Sequence, residues 1–230
     1  MRARRTVLVT GASRGLGRSL AVAFASGGVD VVGTGRDEAA LARTAALCDA
    51  LPGSFAAHRL DVRDADALDA LFDGLGPLDV CVANAGIAEQ RPLAETDEED
   101  LRRLLEVNVV GAFAVMRRAA AAMVAQGGGR IVPIASDAAY VGIPTMAAYV
   151  ASKHALLGLA RTLALELAGT GVHVTTICPG GIRTEILGEV SAAGDGMDVD
   201  DAAAAIAAVA TAGPSIGSCE LHLQPARSCA

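Results

Sequence analysis

Tryptophan is absent from these 230 residues, and aromatics make up only 3% of them. A core so poor in large rings must be packed by Ala, Val, Leu and Ile, and the 52% apolar content is enough for a substantial one. There is no surplus of positive charge. A net charge of −7 argues against non-specific binding to nucleic acid or to an anionic membrane. Cysteine is scarce and unpatterned: Cys48, Cys81, Cys178, Cys219 and Cys229 are odd in number and lack C-x-x-C spacing, so neither a disulfide framework nor a zinc site is indicated, and no metal is expected. Cys81 and Cys178 fall in predicted core strands and read as small buried hydrophobes. Arg2, Arg4 and Arg5 open the chain, but only Val7, Leu8 and Val9 follow before a glycine loop, too short a run for a signal peptide. No stretch reads as a membrane span. A soluble, cytoplasmic protein with neither nucleic-acid nor membrane partner is expected.

What is present begins with glycine. Residues 5–10 read as a short buried strand, Gly11 breaks it, and a helical run starts near Arg14. Gly11, Gly15 and Gly17 give G-x-x-x-G-x-G rather than the commoner G-x-G-x-x-G. The physical logic is shared: a tight turn without side chains lets a pyrophosphate approach the free amides and positive dipole of a helix N-terminus. A glycine turn alone also joins strands to helices with no ligand, so its meaning depends on what accompanies it. Far along the chain, Tyr149 and Lys153 stand four residues apart on a predicted helix, thirteen residues after Ser136. Positions i and i+4 share a helix face. A nearby ammonium favours phenolate, which is expected to lower the Tyr149 pKa towards the range useful for acid–base work.

Strand-like runs at 29–34, 54–60, 78–83, 130–135, 172–177 and 219–223 follow the first. Several are continuously apolar, as parallel strands buried on both faces are. Helical segments lie between them near 37–50, 64–73, 97–125, 147–169 and 199–211, and Thr96-Asp97-Glu98-Glu99 reads as a capping box for the longest. This alternation predicts an α/β fold, a Rossmann-type doubly wound parallel sheet with helices on both faces. Pro133 resists that pattern, because proline cannot donate to the ladder of a central strand, and a bulge before Ser136 is one way to accommodate it.

Taken together, the glycine loop, Ser136, Tyr149 and Lys153 resemble the short-chain dehydrogenase/reductase family, in its TGxxxGxG and YxxxK form. The resemblance runs from about residue 6 to residue 184, with further matches in order: Asp61-Val62, Asn84-Ala85-Gly86, Asn108 in Val-Asn-Val-Val-Gly, then Pro179-Gly180 and Thr184. It implies seven strands in a single domain over residues 1–230, with a short substrate lid at about 185–199. It implies catalysis by Asn108, Ser136, Tyr149 and Lys153: Tyr149 passes the proton, Ser136 bonds the carbonyl oxygen, Lys153 holds the nicotinamide ribose and favours phenolate, and Asn108 holds a water linking Lys153 to solvent. It implies cofactor contacts from Gly11, Ser13, Arg14, Gly15, Leu16, Gly17, Arg36, Asp61 (to the adenine amine), Val62, Asn84, Ala85, Gly86, Pro179, Gly180, Ile182 and Thr184, besides Tyr149 and Lys153. Tyr140 lacks a lysine four residues on and reads as a packing or pocket residue.

Charge argues for the cofactor. An acidic residue at the end of the second strand would bind the ribose hydroxyls of NAD, but that place holds Gly35, followed by Arg36. Arg14 and Arg36 suit the extra phosphate of NADP(H), whereas Asp37 next door keeps NAD(H) open. The expected activity is an NADP(H)-dependent ketoreductase acting on a small carbonyl or secondary alcohol. An NAD-dependent alcohol dehydrogenase and a non-catalytic cofactor-binding regulator stand as alternatives. Ile143, Pro144, Met146, Ile186 and Leu187 are expected to line an apolar substrate pocket, with Glu89, Gln90 and Arg91 at a polar rim. Apolar residues on more than one face of the helices at 97–125 and 147–169 point to a homodimer or homotetramer.

Overall fold

The computed structural model describes residues 4–187 and 196–226. Seven strands form one parallel sheet: β1 (Thr6–Thr10), β2 (Asp30–Gly35), β3 (Ser54–Arg59), β4 (Val80–Ala83), β5 (Gly129–Pro133), β6 (Val172–Pro179) and β7 (Cys219–Leu223), in the spatial order β3-β2-β1-β4-β5-β6-β7. Helices α1 (Gly15–Ser26), α2 (Glu38–Cys48), α3 (Ala65–Gly74), α4 (Glu98–Leu105), α5 (Ala112–Gln126), α6 (Ala147–Glu166) and α7 (Val199–Ala210) fill the crossovers. The alternation read from the sequence is the one observed.

The inner strands are buried on both faces because they contribute to two cores, whereas the edge strand β3 is largely exposed. In β1, Val7 and Val9 pack with Leu20, Phe24 and Ile206 of α1 and α7, while Leu8 faces the opposite layer with Leu68, Met116 and Leu156 of α3, α5 and α6. Most side chains in these layers are small, which is how a chain without tryptophan closes its core. Cys81 and Cys178 are fully buried there, as expected, and burial pushes the Cys81 thiol up to about 12. Cys229 lies outside the described residues.

Aspartates start the helices. Asp37, Asp64 and Asp198 each accept a backbone N–H from the first turn of α2, α3 and α7. The capping box of α4 is shifted by one residue from expectation: Asp97 and Asp100 satisfy each other's backbone, while Thr96 turns back to the Pro92 carbonyl at 3.0 Å.

Two sequence expectations fail here. The helix spanning Glu98–Gln126 is long and apolar enough to cross a membrane by length and composition, but more than half of its apolar window packs into the protein. Pro133 causes no bulge, since β5 keeps one register against β6 from Ile131↔Val174 to the bridge Ile134↔Ile177. The proline instead interrupts the ladder towards β6 and leaves the β4 side paired, Ala83 opposite Pro133.

Candidate active site

A cavity of about 250 Å³ opens where β1, β2, β4, β5 and β6 end, at the carboxyl edge where parallel sheets place ligands. All the residues expected to touch cofactor line it, as do Ser136, Tyr149 and Lys153. Of the expected set only Asn108 does not, and it lies one layer behind.

The glycine loop is shaped by close approach. Gly11 has φ +71°, and a Cβ there would come within 2.9 Å of the Ala85 backbone. A Cβ on Gly17 would run into the Gly11 carbonyl. Asn84 fixes this loop rather than simply facing a ligand: its Nδ2 donates to the carbonyls of Thr10 (2.9 Å) and Gly11 (3.3 Å). The Thr10 hydroxyl in turn accepts the backbone N–H groups of Asn84 and Ala85, both at 3.0 Å. Thr10 is the threonine of the TGxxxGxG motif, but its role as the acceptor that holds the start of the Asn84 loop shows only in three dimensions.

At the end of β2 the side chains favour an anion. Arg14 and Arg36 line the cavity, and neither pairs with a carboxylate among the described residues. Asp37, which left the cofactor open, is committed as the α2 cap, accepting from Ala40 at 2.9 Å. A Cβ at Gly35 would run into Ser13 Oγ, so a side chain there requires Ser13 to turn away. Asp61 is chelated by Arg63 at 3.0 and 2.6 Å, and that hydrogen bonding holds its carboxyl below the usual range. Thr34, also lining the cavity, is fully buried, and its hydroxyl has no partner among the described residues. A side-chain-free cradle, two uncommitted guanidiniums and an orphan hydroxyl fit a phosphorylated dinucleotide.

The reacting end is assembled from β5 and α6. Ser136 follows β5, accepts the Ala138 N–H at 3.2 Å and donates to Asp137 Oδ1 at 2.9 Å. Tyr149 and Lys153 come from the first two turns of α6, with the ammonium 5.6 Å from the Tyr149 ring centroid. Lys153 is buried and donates to the Ile134 carbonyl at 2.8 Å. Burial disfavours its charge and pushes its pKa down to about 8. The expected lowering of Tyr149 is reversed: burial pushes the phenol up to about 12, only partly opposed by a hydrogen bond to Ser136 and reinforced by the Asp137 charge. A lysine that is itself hard to charge when buried is a weak promoter of phenolate.

Asn108 sits in a π-helical turn, Glu106–Gly111, between α4 and α5, which the sequence periodicity did not reveal. Its Oδ1 accepts the Ile87 N–H at 2.8 Å, and its Nδ2 donates to Ile87 O (2.9 Å) and Ser152 Oγ (3.0 Å). Ser152 donates onward to the Tyr149 carbonyl at 2.7 Å, tying α6 to the loop after β4. Gly111 lets this helix approach Val62, whose Cγ2 would be 2.5 Å from a Cβ there.

Of the five apolar residues expected around a substrate, only Ile186 lines the cavity, joined by Ile87 and Val107. The rim residues Glu89 and Arg91 are instead paired with Arg103 and Asp100 of α4, at 2.5 and 2.6 Å. The segment expected as a lid lies partly outside the described residues, but both its flanks are anchored: Met197 donates to Gly181 O at 2.8 Å and accepts from Arg183 at 3.0 Å. Tyr140 does not line the cavity; it is partly exposed, with its ring centroid 4.6 Å from that of His222. It donates to Glu220 of β7, which Arg161 of α6 also binds at 2.7 and 3.0 Å.

Comparison with known proteins identifies relatives in sequence and fold. The model of the short chain dehydrogenase family matches residues 5–195. An uncharacterized oxidoreductase of Thermotoga maritima is 38% identical over 79% of this chain and 73% of its own length. A 3beta-hydroxysteroid dehydrogenase of Mediterraneibacter gnavus is 36% identical over 82% of this chain and 70% of its own. Among solved structures, a metagenomic short-chain oxidoreductase in complex with NADP superposes with a TM-score of 0.85 at 30% identity, covering 97% of this chain and 98% of that one.

Proposed function

We propose a function from one premise: the chain belongs to the short-chain dehydrogenase/reductase family and is an oxidoreductase of it. Within that family we read it as an NADP(H)-dependent ketoreductase for a small carbonyl or secondary alcohol, working in the cytoplasm. The observation that carries this is the meeting of Ser136, Tyr149 and Lys153 in the cavity whose other end is the glycine loop.

The glycine loop and the start of α1 would hold the pyrophosphate, Arg14 and Arg36 the 2′-phosphate, and Lys153 the nicotinamide ribose. When bound, the nicotinamide supplies or accepts the hydride. The chain's own part is the proton. Tyr149, held protonated at neutral pH, is an acid beside the place where a carbonyl oxygen would rest against Ser136. Asn108 acts through Ser152 and Ile87 by holding α6 and the loop after β4 in one arrangement, and a water held at this junction would return protons to Lys153.

Phe113 and Leu165 project from α5 and α6 with 47% and 78% exposure, and they support a homodimer or homotetramer through these helices. The supporting surface is smaller than the sequence implied: Val115, Met116, Met123, Leu156 and Leu157 belong to the core. Light scattering at micromolar concentration tests this, and a monomer refutes it.

Titration with NADPH and NADH, followed by nicotinamide fluorescence, tests the cofactor. Tighter NADPH binding that is lost in Arg36→Ala is expected; preference for NADH refutes the arginine argument. Tyr149→Phe is expected to keep NADPH binding and lose turnover of ketones, and near-normal turnover would overturn the assignment of the acid.

A further inference from the structure

The residue after the reactive serine is an aspartate, and nothing about the proposed proton transfer requires it. Asp137 is half-buried. Its Oδ1 accepts the Ser136 hydroxyl proton at 2.9 Å, and no cation pairs with it among the described residues. Lys153, a cation that lines the cavity, donates to Ile134 instead. Asp137 does not line the cavity; it stands one hydrogen bond behind a hydroxyl that does. Its charge is nonetheless felt there, since it is one of the groups that raise Tyr149.

We propose that Asp137 sets the charge class of the substrate: the site takes neutral carbonyls or alcohols and turns away those bearing a carboxylate close to the reacting carbon. This rests on the oxidoreductase reading above. An oxygen bound to Ser136 at about 3 Å lies about 5 to 6 Å from the Asp137 carboxylate. A carboxylate on the neighbouring carbon is then about 7 Å from it. At an effective dielectric of about 20 to 40, that repulsion weakens productive binding by about 8- to 50-fold.

The test compares kcat/KM for methyl benzoylformate and benzoylformate, with NADPH, in the wild type, Asp137→Asn and Asp137→Ser. The ratio of ester to acid should fall by about tenfold in both variants, chiefly through the KM of the acid. Loss of order around Ser136 would depress both substrates together and leave the ratio alone. An unchanged ratio in either folded variant overturns the proposal. Two variants of different size guard against one failing to fold. If the wild type reduces neither compound, nor any neutral ketone, the oxidoreductase reading itself fails and this inference falls with it.

Discussion

Replacing Lys153 with methionine should make the protein more stable while removing its activity. The ammonium is buried among β5, β6 and α6, and burial lowers its pKa from 10.5 to about 8. Two to three units correspond to roughly 3 kcal/mol of penalty on the folded state while the lysine is charged. Methionine fills similar volume without charge but leaves the Ile134 carbonyl short of a donor, costing about 1 kcal/mol. The net gain at pH 7 is then about 2 kcal/mol, or about 4 to 8 °C in Tm for a domain of this size. The sign follows from linkage. A folded-state pKa below the unfolded one means the unfolded chain holds more protons between pH 8 and 10.5, so wild-type stability rises with pH across that window. The advantage of Lys153→Met should therefore be full below pH 8 and reversed by pH 10.5, where only the loss of about 1 kcal/mol at the Ile134 carbonyl remains. Urea unfolding of both proteins at pH 7, 9 and 10.5 measures it. A variant less stable than wild type at pH 7, or a gain independent of pH, refutes the reasoning.

Other outcomes follow from single features. Gly35→Asp should displace Ser13 and weaken NADPH binding at least tenfold, read by fluorescence titration, because the new carboxylate faces Arg36 and a phosphate. Glu220→Gln should lower Tm slightly at neutral pH, since a partly exposed ion pair contributes little. Arg161 holds the Glu220 carboxyl down at about 2, so this contribution is present above the ordinary carboxylate pKa and is lost as pH falls towards 2; the difference between the two proteins in acid melts should vanish there. Thr145→Gly should stabilise by about 0.5 to 1 kcal/mol in urea unfolding, because this β-branched residue has φ +66°.

The order of elements was legible because each strand is a short apolar run and each helix has its own period, and the ends of β1, β4 and β6 carry recognisable glycines and prolines. The candidate site was legible for the same reason, since its residues sit at element ends where sequence motifs are local. What was hidden depends on the third dimension. The π turn at Asn108 adds a residue without changing composition. The uses of Thr10, Ser152 and Asp37 appear only when distant segments meet. Burial decided the direction of the Tyr149 shift, and the spacing of Tyr149 and Lys153 says nothing about burial. Met116 and Leu156 looked like surplus surface because a helix between two layers of side chains is apolar on more faces than one.

Pro133 has a mechanical meaning beyond its place in the strand. The ladder between β5 and β6 consists of Gly129–Ile131 and one bridge at Ile134, so the sheet is jointed along a seam that runs under the cavity. On one side lie the glycine loop, Ser136 and their strands; on the other lie β6, β7 and the segment from Pro179 to Thr184. Across that seam run the ladder at its Gly129 end, a buried hydrogen bond from Arg130 to Thr175 Oγ1 at 2.6 Å, the Ala135 N–H donated to the Ile177 carbonyl at 2.8 Å, and the apolar layer shared by Ile177, Ile206, Val9 and Leu20. The apolar layer is non-directional, whereas the hydrogen bonds fix position. The Ala135–Ile177 bond lies one residue before Ser136 and two before Pro179, so it pins the width of the cavity at this edge from below, independently of any loop above it.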